Sequence, residues 1–315
     1  MSNLVKFIFI IKTVIISVVV VYMILNVSGR CDIIAFYTKW FMNRYKEGYV
    51  DVRNPFYPKM VSRIYFDDVD AIVFCTKNPI PIVNELSKID KPIIFQVTIT
   101  PYKKDIEPNV PDKKKIIEAL KKISNIIGNE YVYVRYDPIF INDKYTVDYH
   151  IKAFDKLCSE LDGYISHIII SFMDDYKNVR KNEDFIKAKI LTDDDYRKIG
   201  INFSSSAKKH NITVQTCCED NNLVEYGFIK RDCIDFNLAF HLTGKTKFTK
   251  WKERNCSCVE LVDIGYYNSC SHFCKYCYAN FDEASVKNNV IKHNPNSSLL
   301  IGELDSNDTI KIRKK

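Results

Sequence analysis

Short continuous apolar runs along the chain alternate with longer stretches whose apolar residues recur every three or four positions. The first run, Met23 to Val27, ends in the polar turn Ser28-Gly-Arg-Cys-Asp32, and residues 33–46 then read as an aromatic-rich amphipathic helix. Residues 49–66 alternate apolar and polar side chains around Pro55 and Pro58, which predicts a two-stranded insertion. The run Ala71–Phe74 is unbroken, as expected of a strand covered on both faces, and a helix to about Ile89 follows. Further strands are predicted over 92–99, 131–135, 165–172 and 212–216, separated by helical stretches. In the stretch after the first of these, Ile116, Ile117, Leu120, Ile123 and Ile127 share one helix face, with Asp112 placed to cap it and Gly128 to stop it. Thr146–Leu161 reads as the next helix, and a region rich in Lys and Asp runs on to His210.

Six apolar strands alternating with helices imply a parallel sheet with right-handed crossovers. The fold class is α/β: a six-unit parallel partial barrel of the TIM-barrel kind over 23–220, then a cysteine-rich, metal-binding region over 221–315. An open doubly wound sheet is the rival. No glycine-rich turn follows any strand and the chain has only nine glycines, which argues against dinucleotide binding. In a parallel barrel the C-terminal strand ends build the active face. There the sequence places Ser28, Arg30 and Asp32; Thr76, Lys77 and Asn78; Gln96, Thr98 and Thr100; Arg135 and Asp137; Ser171 and Asp174; and Glu219 and Asp220. Most of these residue types cap helices or pair locally. Arg135-Tyr-Asp137-Pro stands out, because an Arg and an Asp at one strand end can together recognise a carboxylate and an amine or hydroxyl. Both are candidate catalytic residues, against the plainer reading of Asp137 as a turn former.

With 46% hydrophobic residues the chain can bury a sizeable core. Its formal charge is +7, but Lys and Arg are spread along the whole length, the pattern of a solvated basic surface rather than of a nucleic-acid footprint. Residues 4–25 are apolar apart from a few positions such as Lys6 and Lys12, long enough for a membrane helix or a signal segment. They pass without a linker into the strand at Met23. The expectation is therefore a soluble, cytoplasmic protein whose functional part begins at Met23, residues 1–22 being an upstream extension; the alternative is a membrane anchor.

Eight of the eleven cysteines fall between Cys217 and Cys277. In a chain of intracellular character such thiols are metal ligands or core residues more often than disulfides; Cys158, in an apolar helical stripe, reads as core. Cys270, Cys274 and Cys277 form a C-x3-C-x2-C array with Tyr276 before the last cysteine. Thiolates hold four-iron clusters, and three local ligands leave one iron without protein sulfur, an open position of the kind that separates catalytic from closed structural sites. A zinc loop with a fourth ligand from elsewhere is the alternative. Cys217 (or Cys218), Cys233, Cys256 and Cys258 offer four thiols for a second, fully ligated site, with zinc and iron–sulfur both open; buried free thiols are the plainer alternative.

The array C-SHF-C-KY-C resembles the cluster motif of radical S-adenosylmethionine (SAM) enzymes. In that superfamily the open iron binds SAM, and the reduced cluster cleaves it to a 5′-deoxyadenosyl radical. The resemblance implies a 4Fe–4S cluster on Cys270, Cys274 and Cys277 with Tyr276 packed against it. It implies Ser28, Arg30 and Asp32 beside SAM, Arg135 and Asp137 beside a small-molecule substrate, and a reductant such as ferredoxin or flavodoxin. Those enzymes carry the loop after the first barrel strand, whereas here it follows the last units, behind a strand expected at Val259–Asp263. In a ring the last position neighbours the first, so a circular permutation would return the loop to the same mouth. Over Met23–Glu303 the chain is similar to members of the domain-of-unknown-function family 1848. The motifs are Ser28-x-Arg30-x-Asp32, Trp40-Phe-Met-Asn-Arg44, Val52-Arg-Asn-Pro55, Thr76-Lys-Asn-Pro79, Ile106-Glu-Pro-Asn109, Arg135-Tyr-Asp-Pro138 and His293-x-Pro-Asn-Ser297. That family's C-terminal cysteine cluster is itself similar to the radical SAM motif. Gly29, Cys31 and Cys75 depart from its pattern and imply an altered pocket. Two other classes stay open: a zinc-stapled barrel that binds a partner, nucleic acid among them, and an electron carrier that does not cleave SAM.

Overall fold

The computed structural model describes residues 22–220, 223–252 and 256–314; most of the apolar stretch 4–25, and with it the membrane alternative, lies outside them. No described helix is long and apolar enough to cross a membrane. Ten strands are present among the described residues: β1 (Met23–Val27), β2 (Tyr49–Arg53), β3 (Met60–Tyr65), β4 (Val69–Thr76), β5 (Ile93–Thr98), β6 (Val132–Ile139), β7 (His167–Phe172), β8 (Thr213–Thr216), β9 (Leu261–Asp263) and β10 (Thr309–Ile312). Seven form one sheet in the order β8-β7-β6-β5-β4-β1-β9, every neighbouring pair parallel. From β1 through β4 to β8 each strand is laid beside its predecessor, and the order does not reverse there as it does in a doubly wound sheet.

Alternation along the strands supplies both faces of this sheet. Leu25, Val27, Ile72, Phe74 and Phe95 point one way, into a core shared with the helices. Ile24, Ala71, Val73, Ile94, Tyr133 and Ile169 point the other way, into a second core. The helices on the first face are α1 (Ile33–Glu47), α2 (Lys113–Ile127), α3 (Val147–Glu160) and α6 (Asp193–Lys209), with two single turns, α4 (Lys177–Arg180) and α5 (Glu183–Ile186), before the last. The second face is covered by α7 (Phe236–Thr243) and by Cys233, Cys258 and Val259. A final helix, α8 (Glu283–Ile291), follows the cysteine array.

Local chemistry explains most of these boundaries. Asp112 accepts from Lys114 N to start α2, and Gly128, at φ +94°, ends it. Thr192 and Asp195 form a capping box at the start of α6. After β4, Ile80–Lys88 is a 3-10 helix rather than the expected α-helix, with Pro79 at its N-cap and Pro81 in its first turn. β6 runs through Asp137-Pro138 to Ile139, past the predicted end at Arg135; its pairing with β7 is irregular between Tyr136 and Ile139, where Pro138 has no N–H to give.

The insertion β2–β3 is antiparallel as expected, and β10 adds to it a third strand that the alternation did not reveal. All four residues of β10 are exposed, so no buried face marks it in the sequence. Arg53 holds the addition in place through a bidentate pair with Asp308 at 2.5 and 2.7 Å. Trp40, fully buried on α1, donates to Ser297 O at 2.9 Å, while Asn43 and Arg44 donate to the carbonyls of Pro295 and Asn296. The Trp40–Arg44 and His293–Ser297 motifs are therefore two halves of one clasp.

Candidate metal centre

β9 runs beside β1 with Asn26 opposite Asp263, so the chain leaves β9 at the same end of the sheet as the Ser28–Asp32 turn. Asp263 fixes that junction. Its carboxylate accepts from Asn26 Nδ2 at 2.9 Å, Ser28 Oγ at 3.0 Å and Gly265 N at 2.7 Å, and it pairs with Arg30 at 3.3 Å. Only glycine fits at 265, since a Cβ there would stand 2.0 Å from Ser28 Oγ. Ser28 and Arg30 thus brace the approach to the cysteine array.

The array itself docks on the C-terminal ends of β1, β4 and β5. Tyr37 of α1 donates to Ser269 O at 2.6 Å, Asn109 Nδ2 to Ser271 O at 2.8 Å, and Lys275 N to Ile106 O at 2.9 Å. Asp32, just after β1, spends both carboxylate oxygens on the protein. One accepts from Ala35 N at 3.0 Å and Thr76 Oγ1 at 2.7 Å, the other from Lys77 N at 2.7 Å and His272 Nε2 at 3.0 Å. His272, 2% exposed, is thereby fixed with its proton on Nε2, which leaves Nδ1 an acceptor, buried and without a partner among the described residues. It lies between Cys270 and Cys274.

A second clamp is ionic. Glu107, 1% exposed, accepts from Thr100 Oγ1 at 2.6 Å and Lys77 Nζ at 2.9 Å, and from Lys113 Nζ and the Tyr276 hydroxyl. Burial alone would raise its pKa, but the two ammonium groups hold it down at about 2. Lys77 also lies over the Tyr276 ring, 5.2 Å from its centroid.

Of the three thiols of the array Cys274 is buried, and Cys270 and Cys277 are half-buried. Burial pushes Cys274 up to about 12 against the pull of Lys77, and raises Cys270 and Cys277 as well. Cys274 and Cys277 lie close enough to Cys270 to add to that rise. Among the described residues the three donor atoms found within 4.8 Å of one another belong to Asp232, Cys256 and Cys258, so the sulfurs of the array do not all lie that close together.

Arg135 and Asp137 stand between the array and the second cysteine set. Asp137 Oδ2 accepts from Arg135 Nε at 3.0 Å and Nη2 at 2.6 Å, and its charge reaches Lys77. Arg135 Nη1 turns to Gln96 Oε1 at 3.3 Å and Cys233 Sγ at 3.6 Å. Cys217 and Cys233 place their sulfurs 3.0 Å apart. Beside them Glu219 accepts from Ser171 Oγ at 2.7 Å and Phe172 N at 2.9 Å, and burial raises it to about 7. A cavity of about 580 Å³ opens at the ends of β1 and β9, lined by Asn26, Arg30, Asp263, Tyr267 and Tyr278 together with the β2–β3 hairpin.

The sequence reading did not single out Glu107, Lys113 or His272. Each lies within or near a noticed motif, but its role depends on burial that no local pattern displays.

Residues 24–279 match the family model described as a domain of unknown function (DUF1848). The chain belongs to this family. No curated protein and no solved structure matches it. The span matched by the family begins within β1 and ends two residues beyond Cys277, so it takes in both cysteine sets and both clamps.

Proposed function

We propose that Cys270, Cys274 and Cys277 hold a 4Fe–4S cluster with one iron free of protein sulfur, and that the chain is a radical SAM-type enzyme. Its substrate is a small molecule and its electron comes from a carrier of the ferredoxin or flavodoxin kind. We read β1, β4, β5, β6, β7 and β8 as a six-unit partial barrel, extended by β9 so that the loop lies over the barrel mouth. The observation that carries this reading is the docking of the array on the ends of β1, β4 and β5 through Asp32–His272 and Glu107–Tyr276.

The donor set fits such a cluster. Three thiols come from one loop, near one another but not all within 4.8 Å, as ligands on separate corners of a cluster require. A metal's charge deprotonates coordinating thiols outright, which reverses the rise that burial alone imposes. When bound, the reduced cluster supplies the electron that cleaves SAM. The chain's own residues do the rest. Asp32 orients His272 and keeps Nδ1 an acceptor toward the array, Tyr276 walls the site, and Glu107 neutralises Lys77 and Lys113 there. The adjoining cavity offers the aromatic faces of Tyr267 and Tyr278 with the polar ends of Asn26 and Arg30, a mixture suited to a nucleoside and a polar substrate.

The test is the iron and sulfide content of the chain purified without oxygen, then 5′-deoxyadenosine formation from SAM under a strong reductant. We expect about four irons per chain, lost in Cys274→Ala. A full iron complement in that variant would refute the ligand assignment; a cluster with no SAM cleavage would leave an electron carrier.

A further inference from the structure

The second cysteine set has a geometry of its own, independent of the cluster proposal. Its sulfurs form a ring. Cys217 lies 3.0 Å from Cys233. Cys233 is within hydrogen-bond reach of Cys258, and Cys258 of Cys256. Cys256 reaches Cys218, and Cys218 returns to Cys217. Five thiols from three separate segments thus meet at one place. Cys217 and Cys218 follow β8, Cys233 precedes α7, and the Cys256–Cys258 turn precedes β9.

We propose that Cys217, Cys233, Cys256 and Cys258 bind a single thiophilic ion of the zinc class. A tetrahedral zinc–thiolate site sets its sulfurs about 3.8 Å apart; Cys217 and Cys233 are 3.0 Å apart, and Cys256 and Cys258 lie within 4.8 Å of each other and of Asp232, so the ion would draw two existing pairs together. A four-iron cluster would need every ligand on a separate iron, and the Cys217–Cys233 pair would have to part widely. A disulfide is not formed, as a 3.0 Å separation exceeds the bond length of about 2.05 Å.

Two observations besides the thiols point to a ligand. Arg135 donates to Cys233 and lies within reach of Cys217, which places a half-buried guanidinium against the charge that four thiolates bring to a divalent ion. Asp232 accepts from Ser257 N at 2.8 Å and so props the turn between Cys256 and Cys258. Cys218 is the exposed member of the ring and is the sulfur left over.

The location gives the ion its work. β8 and β9 are the two edges of the seven-stranded sheet, and Cys217 directly follows the one while Cys258 shortly precedes the other. Between them Cys233 and Val259 sit in the core of the second sheet face. An ion here staples the chain at both sheet edges across a face that α7 alone would cover thinly.

Zinc and iron are counted separately on the full chain, so this proposal and the cluster proposal fail independently. We expect about one zinc per chain, retained in Cys274→Ala and Cys218→Ala and reduced at least tenfold in Cys233→Ala while iron stays. For the case in which Cys233→Ala does not fold, alkylation of the native chain replaces it: Cys217, Cys233, Cys256 and Cys258 should react only after a zinc chelator is added. Zinc absent with iron doubled, or a Cys217–Cys233 disulfide with no second metal, overturns the single-ion site. Undiminished zinc in a folded Cys233→Ala overturns the ligand set.

Discussion

The two cysteine sites of this chain are built on opposite plans. In the Cys270 array three thiols come from one short loop, stand apart, and are held by charge supplied from β1, β4 and β5 through Asp32, Lys77 and Glu107. In the Cys217 ring five thiols arrive from three distant segments and crowd together, with Arg135 as the half-buried cation beside them. The first plan suits a centre that must keep a coordination position open, since the protein rather than the metal fixes the loop. The second suits a closed site, in which the metal is what joins the segments. Arg135–Asp137 lies between them, touching a thiol of one and adding its charge near Lys77 in the clamp of the other.

The comparison breaks most sharply at Glu107. Replacing it by alanine leaves the half-buried Lys77 and Lys113 near each other with no anion, and removing one partner of a buried ionic network costs about 4 kcal/mol. The denaturation midpoint of Glu107→Ala should fall accordingly, and iron should be lost while zinc is retained. Equal loss of both metals would mean that the two sites are not held independently.

A smaller effect follows from a group remote from either site. His150, fully buried on α3, donates from Nε2 to Phe140 O at 2.9 Å and accepts at Nδ1 from Tyr136 at 3.0 Å. Burial lowers its pKa from 6.5 to about 4. The unfolded chain takes up the proton below 6.5 and the folded chain refuses it until about 4. This contribution is therefore complete above pH 6.5 and is lost as pH falls toward 4, to a total of about 3 kcal/mol. His167, less buried, shifts the same way. Urea unfolding at stepped pH should show this slope, and His150→Gln, which can keep both hydrogen bonds without titrating, should flatten most of it. If instead the slope persists and tracks metal release, acid acts at the thiols.

Much of this was legible in the sequence. The apolar runs marked the six strands β1 and β4–β8, because strands buried on both faces leave no polar alternation to confuse them, and Asp112 and Gly128 marked α2 through cap chemistry that acts locally. The three-cysteine array was legible because all its ligands lie within one loop. The ring was legible only as an inventory of thiols: which sulfurs meet depends on β8 and β9 lying at opposite sheet edges, and no spacing encodes that. The clamps were hidden for a related reason. Glu107 and His272 look like ordinary loop residues until the tertiary fold buries them.

The finest test of the contrast is Asp32→Asn. The change is nearly isosteric, and the oxygen that accepts from Ala35 N and Thr76 Oγ1 can be kept. The other oxygen becomes an amide NH₂ facing two donors, Lys77 N and His272 Nε2. His272 can answer by moving its proton to Nδ1, but Lys77 N cannot, and one buried unsatisfied donor costs about 2 kcal/mol. Stability should fall by that amount with zinc unchanged, and the imidazole ¹⁵N resonances should report the tautomer exchange. Because Nδ1 would then present a hydrogen toward the array instead of a lone pair, SAM cleavage should weaken more than iron content does. If iron and cleavage fall together, Asp32 only fastens the loop; if cleavage falls alone, the bare Nδ1 of His272 takes part in the site.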